Sequence, residues 1–209
     1  MNRTIDHIVY TVSNLEEAIN DFEKSLGVRP IIGGYHKTQG TKNALLNLSN
    51  GCYLELLAAD ESNTEIPPPR WMGVDVLTKN QITRWALKSD ILKIDSRTLQ
   101  QYNSEMGKTT GGSRNTEAGS LLKWKMILPL AKPEVEIVPF MVDWSQSETH
   151  PAEALADSDC SLVELYVMHP EPEIFDRIFK ELGIGIKLER GEVVELKMRI
   201  RSPLGVVDL

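Results

Sequence analysis

The chain of 209 residues has little cysteine, no cluster of basic residues and no long apolar run. Its two cysteines, Cys52 and Cys160, form no CxxC pair and fit a reducing cytosol as small buried residues. A net charge of −7 without a Lys/Arg run argues against binding to nucleic acid or to an anionic membrane. No segment approaches a membrane span, and MNRTIDHIVYTV at the N-terminus lacks the unbroken apolar core of a signal peptide. We therefore expect a cytoplasmic protein.

Motifs that would indicate an organic cofactor or a hydrolase nucleophile are incomplete. GKTT at 107–110 would need a glycine where Tyr102 stands, and GIGIKLERG at 183–191 follows a predicted helix rather than a strand. No GxSxG occurs, and neither cysteine has a histidine at a recognised spacing. We expect no organic cofactor.

A β-hairpin is the clearest local pattern that is present. Two apolar-rich runs, residues 41–48 and 52–58, are joined by an Asn-Gly pair, which is a strong hairpin signal. With the period of two of a strand, Glu55 shares a face with Tyr53 and Leu57. A carboxylate on a largely apolar face costs several kcal/mol unless it is paired or coordinated. Glu55 is therefore a candidate functional residue.

One order of elements recurs along the chain, and each predicted helix ends near a glycine, Gly27, Gly107 or Gly183. The predicted units are a first βαβββ module at 1–59, a linker at 60–81, a second βαβββ-like module at 82–144, a linker at 145–159 and a third βαβββ-like module at 160–209. The predicted fold class is α+β, with repeated βαβββ modules that form cupped mixed β-sheets with helices on the outer face. An odd number of modules leaves one without an internal partner, so a homodimer is possible.

Several sequence blocks together resemble a known superfamily. DHIVYTV in the first strand and YLEL in the fourth look like the vicinal oxygen chelate superfamily, which includes glyoxalases and extradiol dioxygenases. GGYHKTQGTKNALLNL, Arg114, LLKW, PFMVDW and the His150-Pro151 pair are similar to its glyoxalase-like domain branch. The resemblance spans most of the chain. It implies a cupped sheet of paired modules, with metal ligands on the first and last strands and an oxygen-rich substrate that chelates the metal.

The resemblance assigns the metal-ligand positions to His7 and Glu55. The chemistry of the two residues supports a divalent ion, Zn, Mn, Fe or Ni, or an acid–base pair, since one imidazole and one carboxylate are half of a metal site. The alternative is a hydrogen-bonded His–Glu pair without metal. Further ligands do not match the pattern in the second module, which offers Thr83, Trp85 and Arg84, or in the third, which offers Glu164 and Asp208.

Other polar and aromatic residues are candidates for substrate binding. Thr41 and Asn43 share one face of a strand, and Asn43 offers two donors and an acceptor for a carbonyl or carboxylate. The alternative is that the two residues only stabilise the turn and the strand start. Arg114 either clamps a substrate carboxylate or is solvated. The remaining candidates are His36, which follows a Gly-Gly turn, Trp124 and Trp144, which form a pocket wall or belong to the core, and His150, which is a pocket lid or a surface residue.

The predicted function is that of a glyoxalase-like protein acting on a small oxygenated or carbonyl-containing metabolite, by a lyase, isomerase or dioxygenase type of reaction. If the protein is an enzyme, His7 and Glu55 are its predicted catalytic residues. The alternatives are a binding protein that sequesters a small molecule without turnover, and a domain with a vestigial cleft. The predicted partner is a small-molecule ligand, with no nucleic acid and no membrane.

Overall fold

The computed structural model describes residues 3–115, 121–131 and 134–209, and of Arg114 and Asn115 it describes the backbone. The first five elements are β1 (Ile5–Thr11), α1 (Leu15–Leu26), β2 (Ile31–His36), β3 (Thr41–Asn47) and β4 (Tyr53–Ala59). Helix α1 begins where the Asn14 side chain accepts hydrogen bonds from the N–H groups of Glu16 and Glu17. It ends at Gly27, whose φ of 76° is a left-handed conformation that glycine adopts without steric cost.

The second group of elements has the same order. It comprises β5 (Gln81–Lys88), α2 (Leu92–Tyr102), β6 (Thr109–Asn115), β7 (Leu121–Ile127) and β8 (Phe140–Asp143). A short helix, α3 (Pro151–Ala154), follows inside the segment predicted as a linker. Helix α2 ends with Asn103 as its C-cap, so the prediction that Gly107 ends a helix is wrong. Gly107 lies in the connection to β6 with a φ of 86°, and β6 is a strand that the sequence did not indicate.

The two groups share one sheet of eight strands, in the order β2-β3-β4-β1-β5-β8-β7-β6. In each half the first strand lies parallel beside the last, β1 with β4 and β5 with β8. The two first strands, β1 and β5, pair antiparallel at the centre. The result is a curled mixed sheet with helices packed on one face, and the predicted α+β fold class is confirmed.

The last unit has a strand order of its own. It comprises β9 (Ser161–His169), α4 (Asp176–Leu182), β10 (Lys187–Arg190), β11 (Glu195–Ser202) and β12 (Gly205–Asp208). Its sheet runs β10-β9-β11-β12, so the first strand lies beside the second and third, whereas β1 lies beside the fourth strand of its group. The resemblance to the first two groups is therefore in element order and not in strand pairing.

The last unit shares the main core with the helix-bearing face of the large sheet. The apolar cluster that contains Ile8 and Phe22 also contains Val167 and Ile200 of the last unit. The opposite, concave face of the large sheet is left for a cavity. No helix among the described residues is long and apolar enough to cross a membrane.

Candidate functional site

Strand alternation places His7 and Glu55 on the concave face of the sheet. Their chain neighbours Ile8 and Leu54 point to the main core, where both are fully buried. His7 and Glu55 instead line a cavity of about 340 Å³, together with His36, Asn43, Trp124 and Trp144. The distance from His7 Nε2 to Glu55 Oε2 is 3.7 Å. Both side chains are almost fully buried, so they lie at the cavity floor.

A buried carboxylate that the sequence analysis did not single out holds His7 in place. Asp6 is fully buried and accepts hydrogen bonds from His7 Nδ1 at 2.6 Å, His150 Nε2 at 2.9 Å and Trp144 Nε1 at 2.9 Å. An ionised carboxylate can only accept, so each of these nitrogens carries its hydrogen toward Asp6. The neutral His7 ring therefore has its lone pair on Nε2, the atom that faces Glu55.

The charge on Asp6 is maintained despite its burial. Burial alone would raise the pKa of this carboxyl, but the hydrogen bonds from His150 and His7 and the positive charge these rings can carry outweigh it. The pKa of Asp6 is consequently held well below its usual range. Because Asp6 stays ionised, the tautomer of His7 is fixed by the fold.

Glu55 is oriented by Asn43. The Asn43 Nδ2 group donates to Glu55 Oε1 at 2.5 Å, which leaves Oε2 on the side of His7. The other end of the amide, Oδ1, is buried without a hydrogen-bond partner among the described residues. It lies against Gly33, where an added Cβ would be only 2.4 Å from Oδ1. Since 3.7 Å is too long for a hydrogen bond, the His7–Glu55 gap is not closed by a direct bond.

The second predicted histidine of the cavity is also anchored. His36 Nδ1 lies 2.9 Å from the hydroxyl of Thr41, which is fully buried and supports the ring. The edge of the His36 ring meets Trp71, with a centroid distance of 5.4 Å and an interplanar angle of 89°. Trp71 lines the cavity from the turn at Trp71–Gly73, which the sequence analysis did not identify as part of the site.

Aromatic rings hold His7 on two sides and form one wall. Tyr53 stacks on His7 at 4.7 Å and 17°, and Phe140 meets it edge-on at 5.3 Å and 71°. Trp124 and Trp144 lie 5.7 Å apart with their planes at 51°. Predicted as wall or core residues, both tryptophans line the cavity.

His150 is neither a lid nor a free surface residue. It is the N-cap of α3, where its Nδ1 accepts from the N–H of Ala152 while its Nε2 binds Asp6. Pro151 lines the cavity, so the cap fixes one part of its rim. Arg114 belongs to β6 opposite Leu122, and its side chain lies outside the described residues.

The donor set does not suit a complete metal site. On the side of the second module, His7 faces Ala86 across β1–β5, and the ring of Phe140 and Val142 lie beyond it in an apolar cluster. The part of the chain that the structure describes contains no group of three or more His, Cys, Asp or Glu side chains that could hold a metal ion.

The other residues considered as ligands are engaged elsewhere. Thr83 binds the hydroxyl of Thr11, and Trp85 Nε1 donates to the carbonyl of Ile137. Arg84 is buried and donates to main-chain carbonyl groups, among them that of Leu130. In the last sheet Glu164 pairs with Lys187, and Asp208 pairs with Arg199. His7 and Glu55 are therefore two donors without a third among the described residues.

Comparison with known proteins identifies the family and the fold. The model of the glyoxalase-like domain family matches residues 5–183. None of the curated proteins matches the chain. A hypothetical protein from Staphylococcus aureus has a similar structure, with 15% identity, a TM-score of 0.65, and coverage of 91% of this chain and 87% of that one. At this identity the likeness shows the fold alone.

Two methylmalonyl-CoA epimerases show a lower structural similarity to the chain. The enzyme from Mycobacterium tuberculosis has 20% identity and a TM-score of 0.40, over 66% of this chain and 86% of that chain. A Streptomyces coelicolor epimerase in complex with 2-nitronate-propionyl-CoA has 17% identity and a TM-score of 0.43, over 71% of this chain and 99% of that chain. The family match confirms the predicted placement in the glyoxalase-like branch of the vicinal oxygen chelate superfamily.

Proposed function

The chain belongs to the glyoxalase-like domain family, and we propose that it is an acid–base enzyme that moves a proton next to a carbonyl group of a small metabolite. The observation that carries the proposal is the pair of oriented groups at the cavity floor. His7 is fixed by the buried Asp6, and its Nε2 faces Glu55 Oε2 at 3.7 Å.

In this proposal His7 and Glu55 share the transfer of one proton. The Nε2 lone pair of His7 is available because Nδ1–H is engaged by Asp6. Glu55 Oε2 faces His7 Nε2, since Oε1 is occupied by Asn43. One group removes the proton from the carbon beside the carbonyl, and the pair then returns one proton to the substrate. Return to another atom of the substrate gives an isomerase outcome, and transfer to a departing group gives a lyase outcome. His36, anchored by Thr41, is placed to orient the substrate oxygen.

The divalent metal predicted from the sequence does not fit the described donors. His7 and Glu55 would be the residues to hold it, but a zinc site takes four ligands, usually with three or more from the protein. The described residues of the second module add none. The proposed reaction therefore uses only protein groups, and a dioxygenase type of reaction is not part of the proposal.

The competing function is binding without turnover. The cavity is compatible with it, because its lining combines aromatic and aliphatic side chains with polar ones, as in many small-ligand sites. The predicted homodimer and the predicted cytoplasmic location stay predictions.

The experiment is a calorimetric ligand screen of the wild type and Glu55→Gln, with product analysis of every hit. We expect Glu55→Gln to lower turnover by about 10²–10⁴-fold while most of the affinity is kept, because the shape and the donor to Oε1 remain. Glu164→Gln, in the last sheet and outside the cavity, is the matched control.

The outcomes separate the alternatives. Equal turnover in wild type and Glu55→Gln would refute the role of Glu55. Hits without any product would establish a binding protein. Absence of any ligand, with or without added Zn, Mn, Fe or Ni, would support a vestigial cleft.

A further inference from the structure

We propose that the cavity selects ligands in which a carbonyl lies between a planar aromatic ring and a carboxylate. The proposal rests on the proposed function only for the position of that carbonyl, at His7 and Glu55. Three of the four tryptophans of the chain, Trp71, Trp124 and Trp144, line this cavity. Three indoles around a cavity of about 340 Å³ provide a surface on which another aromatic ring can pack.

The ring of Trp144 is held rigidly. Its Nε1 donates to the fully buried Asp6 at 2.9 Å, so the indole cannot rotate without breaking a hydrogen bond to a charged group. Trp124 is inclined to it by 51° at a centroid distance of 5.7 Å. Two indoles at this angle are not stacked face to face, so their faces are not fully used by each other. Both are only partly buried.

The ring of Trp124 is positioned by a glycine on the neighbouring strand. Gly112 pairs with Trp124 across β6–β7, and a Cβ at Gly112 would be 2.5 Å from Trp124 Cζ2 and 2.7 Å from Cε2. A Cβ atom cannot be that close to another atom, so the indole occupies space that a side chain at Gly112 would fill. Gly111 differs, because its nearest contact from an added Cβ would be the Trp124 carbonyl oxygen at an ordinary 3.5 Å.

The charged side chains of Lys37 and Glu55 set the orientation of the ligand in the cavity. Lys37 lines the cavity and is exposed, whereas Glu55 at the floor is buried and carries a carboxylate. A ligand carboxylate is attracted to Lys37 and repelled by Glu55, so it lies on the Lys37 side of the carbonyl of the ligand. A 2-oxo acid with an aromatic substituent carries the ring, the carbonyl and the carboxylate in this order.

The test compares two probes, phenylpyruvate and pyruvate, which share the 2-oxo acid and differ in the ring. Binding is measured by calorimetry and by quenching of tryptophan fluorescence. We expect phenylpyruvate to bind the wild type about ten-fold or more tightly than pyruvate. Gly112→Ala should reduce this ratio to about three-fold or less, because it displaces the Trp124 ring. The matched variant Gly111→Ala should keep the ratio of the wild type.

Lys37→Met provides an independent arm. It should weaken both probes by a similar factor, because both carry the carboxylate. Equal affinities of the two probes for the wild type would overturn the proposal. So would an unchanged ratio in Gly112→Ala, an equal loss in Gly111→Ala, or no detectable binding of either probe. Thermal unfolding of each variant establishes that it is folded.

Selectivity for an aromatic ring and catalytic turnover can be tested independently of each other. Glu55→Gln should keep the ratio of the two affinities, because the indole wall does not depend on the acid–base pair. A retained ratio without any turnover in the wild type would contradict the proposed function alone. Turnover of ligands without ring preference would contradict this inference alone.

Discussion

Asp6→Asn is the substitution that most sharply changes the site, because Asp6 accepts from three donors at once. Oδ1 takes His7 Nδ1, while Oδ2 takes both His150 Nε2 and Trp144 Nε1. An asparagine has one oxygen and one NH₂ group, so it can serve one side only. We expect its oxygen to face His150 and Trp144, where two donors converge. Its NH₂ group then faces His7 Nδ1.

Two effects follow from that arrangement. A hydrogen bond to a charged group contributes about 1.5–3 kcal/mol and one between neutral groups about 0.5–1.5 kcal/mol. All three bonds become neutral in Asp6→Asn, so the free energy of unfolding should fall by about 2–4 kcal/mol. His7 can avoid a donor–donor contact by moving its hydrogen from Nδ1 to Nε2. The lone pair then leaves the atom that faces Glu55, and the His7 imidazole no longer offers a base to the cavity.

The assay combines urea unfolding with ¹⁵N NMR of the histidine rings, which distinguishes the two tautomers. Asp95→Asn is the matched control, because Asp95 is also a buried carboxylate and is bound by Arg3 and Ser89 outside the cavity. It should lower stability without changing the His7 tautomer. An Asp6→Asn protein of unchanged stability, with hydrogen still on His7 Nδ1, would refute the reasoning.

Three further predictions concern acid stability, packing and thiol reactivity. Because the pKa of Asp6 is lowered in the folded protein, its stabilisation is complete above the unfolded pKa near 3.9 and is lost in acid. The stability difference between wild type and Asp6→Asn should therefore be constant above about pH 5 and shrink as the pH falls below about 4 in urea unfolding, and a difference that grows in acid would contradict this. Gly33→Ala should displace the Asn43 amide and destabilise the protein by about 1–3 kcal/mol in the same assay, whereas unchanged stability would show that the site relaxes freely. Burial, with the charge of Asp6 nearby, raises the pKa of the Cys52 thiol to about 12, so a disulfide reagent at about pH 8 should label Cys52 only in urea, as read by mass spectrometry. Rapid labelling of the native protein would be inconsistent with its burial.

The parts of the site that could be predicted are those set by local periodicity. Alternation along β1 and β4 decides which face of the sheet His7 and Glu55 occupy. This alternation can be read from the few residues on either side of each one. The Asn-Gly turn likewise fixes the β3–β4 register, which places Asn43 opposite Leu57 and near Glu55.

The parts that could not be predicted depend on distant contacts. Asp6 should alternate to the helix side, but the β1–β5 register shifts between Ile5 and His7, and its partners lie 138 and 144 residues away. The available signal in the sequence was an acidic residue next to a histidine in an otherwise apolar strand. The role of His150 likewise depends on a long-range contact, the hydrogen bond from its Nε2 to Asp6.

The glycine-rich strand β6 could not be predicted for a different reason. TTGGSRN has little strand propensity, and the strand forms because it pairs along its length with β7. The position of Gly112 under Trp124 makes the glycine a requirement of packing. The expected repeat at Gly107 fails because α2 stops at Tyr102, before the glycine is reached.

The measurement that tests the central claim most directly is deuterium incorporation from D₂O into small 2-oxo acids, followed by proton NMR. If His7 and Glu55 move a proton next to a carbonyl, the wild type should exchange the hydrogen on the adjacent carbon. Glu55→Gln should then lose about 10²–10⁴-fold of the exchange rate, and Glu164→Gln should match the wild type. Equal exchange by the wild type and Glu55→Gln, or exchange that appears only with an added divalent metal, would contradict the account.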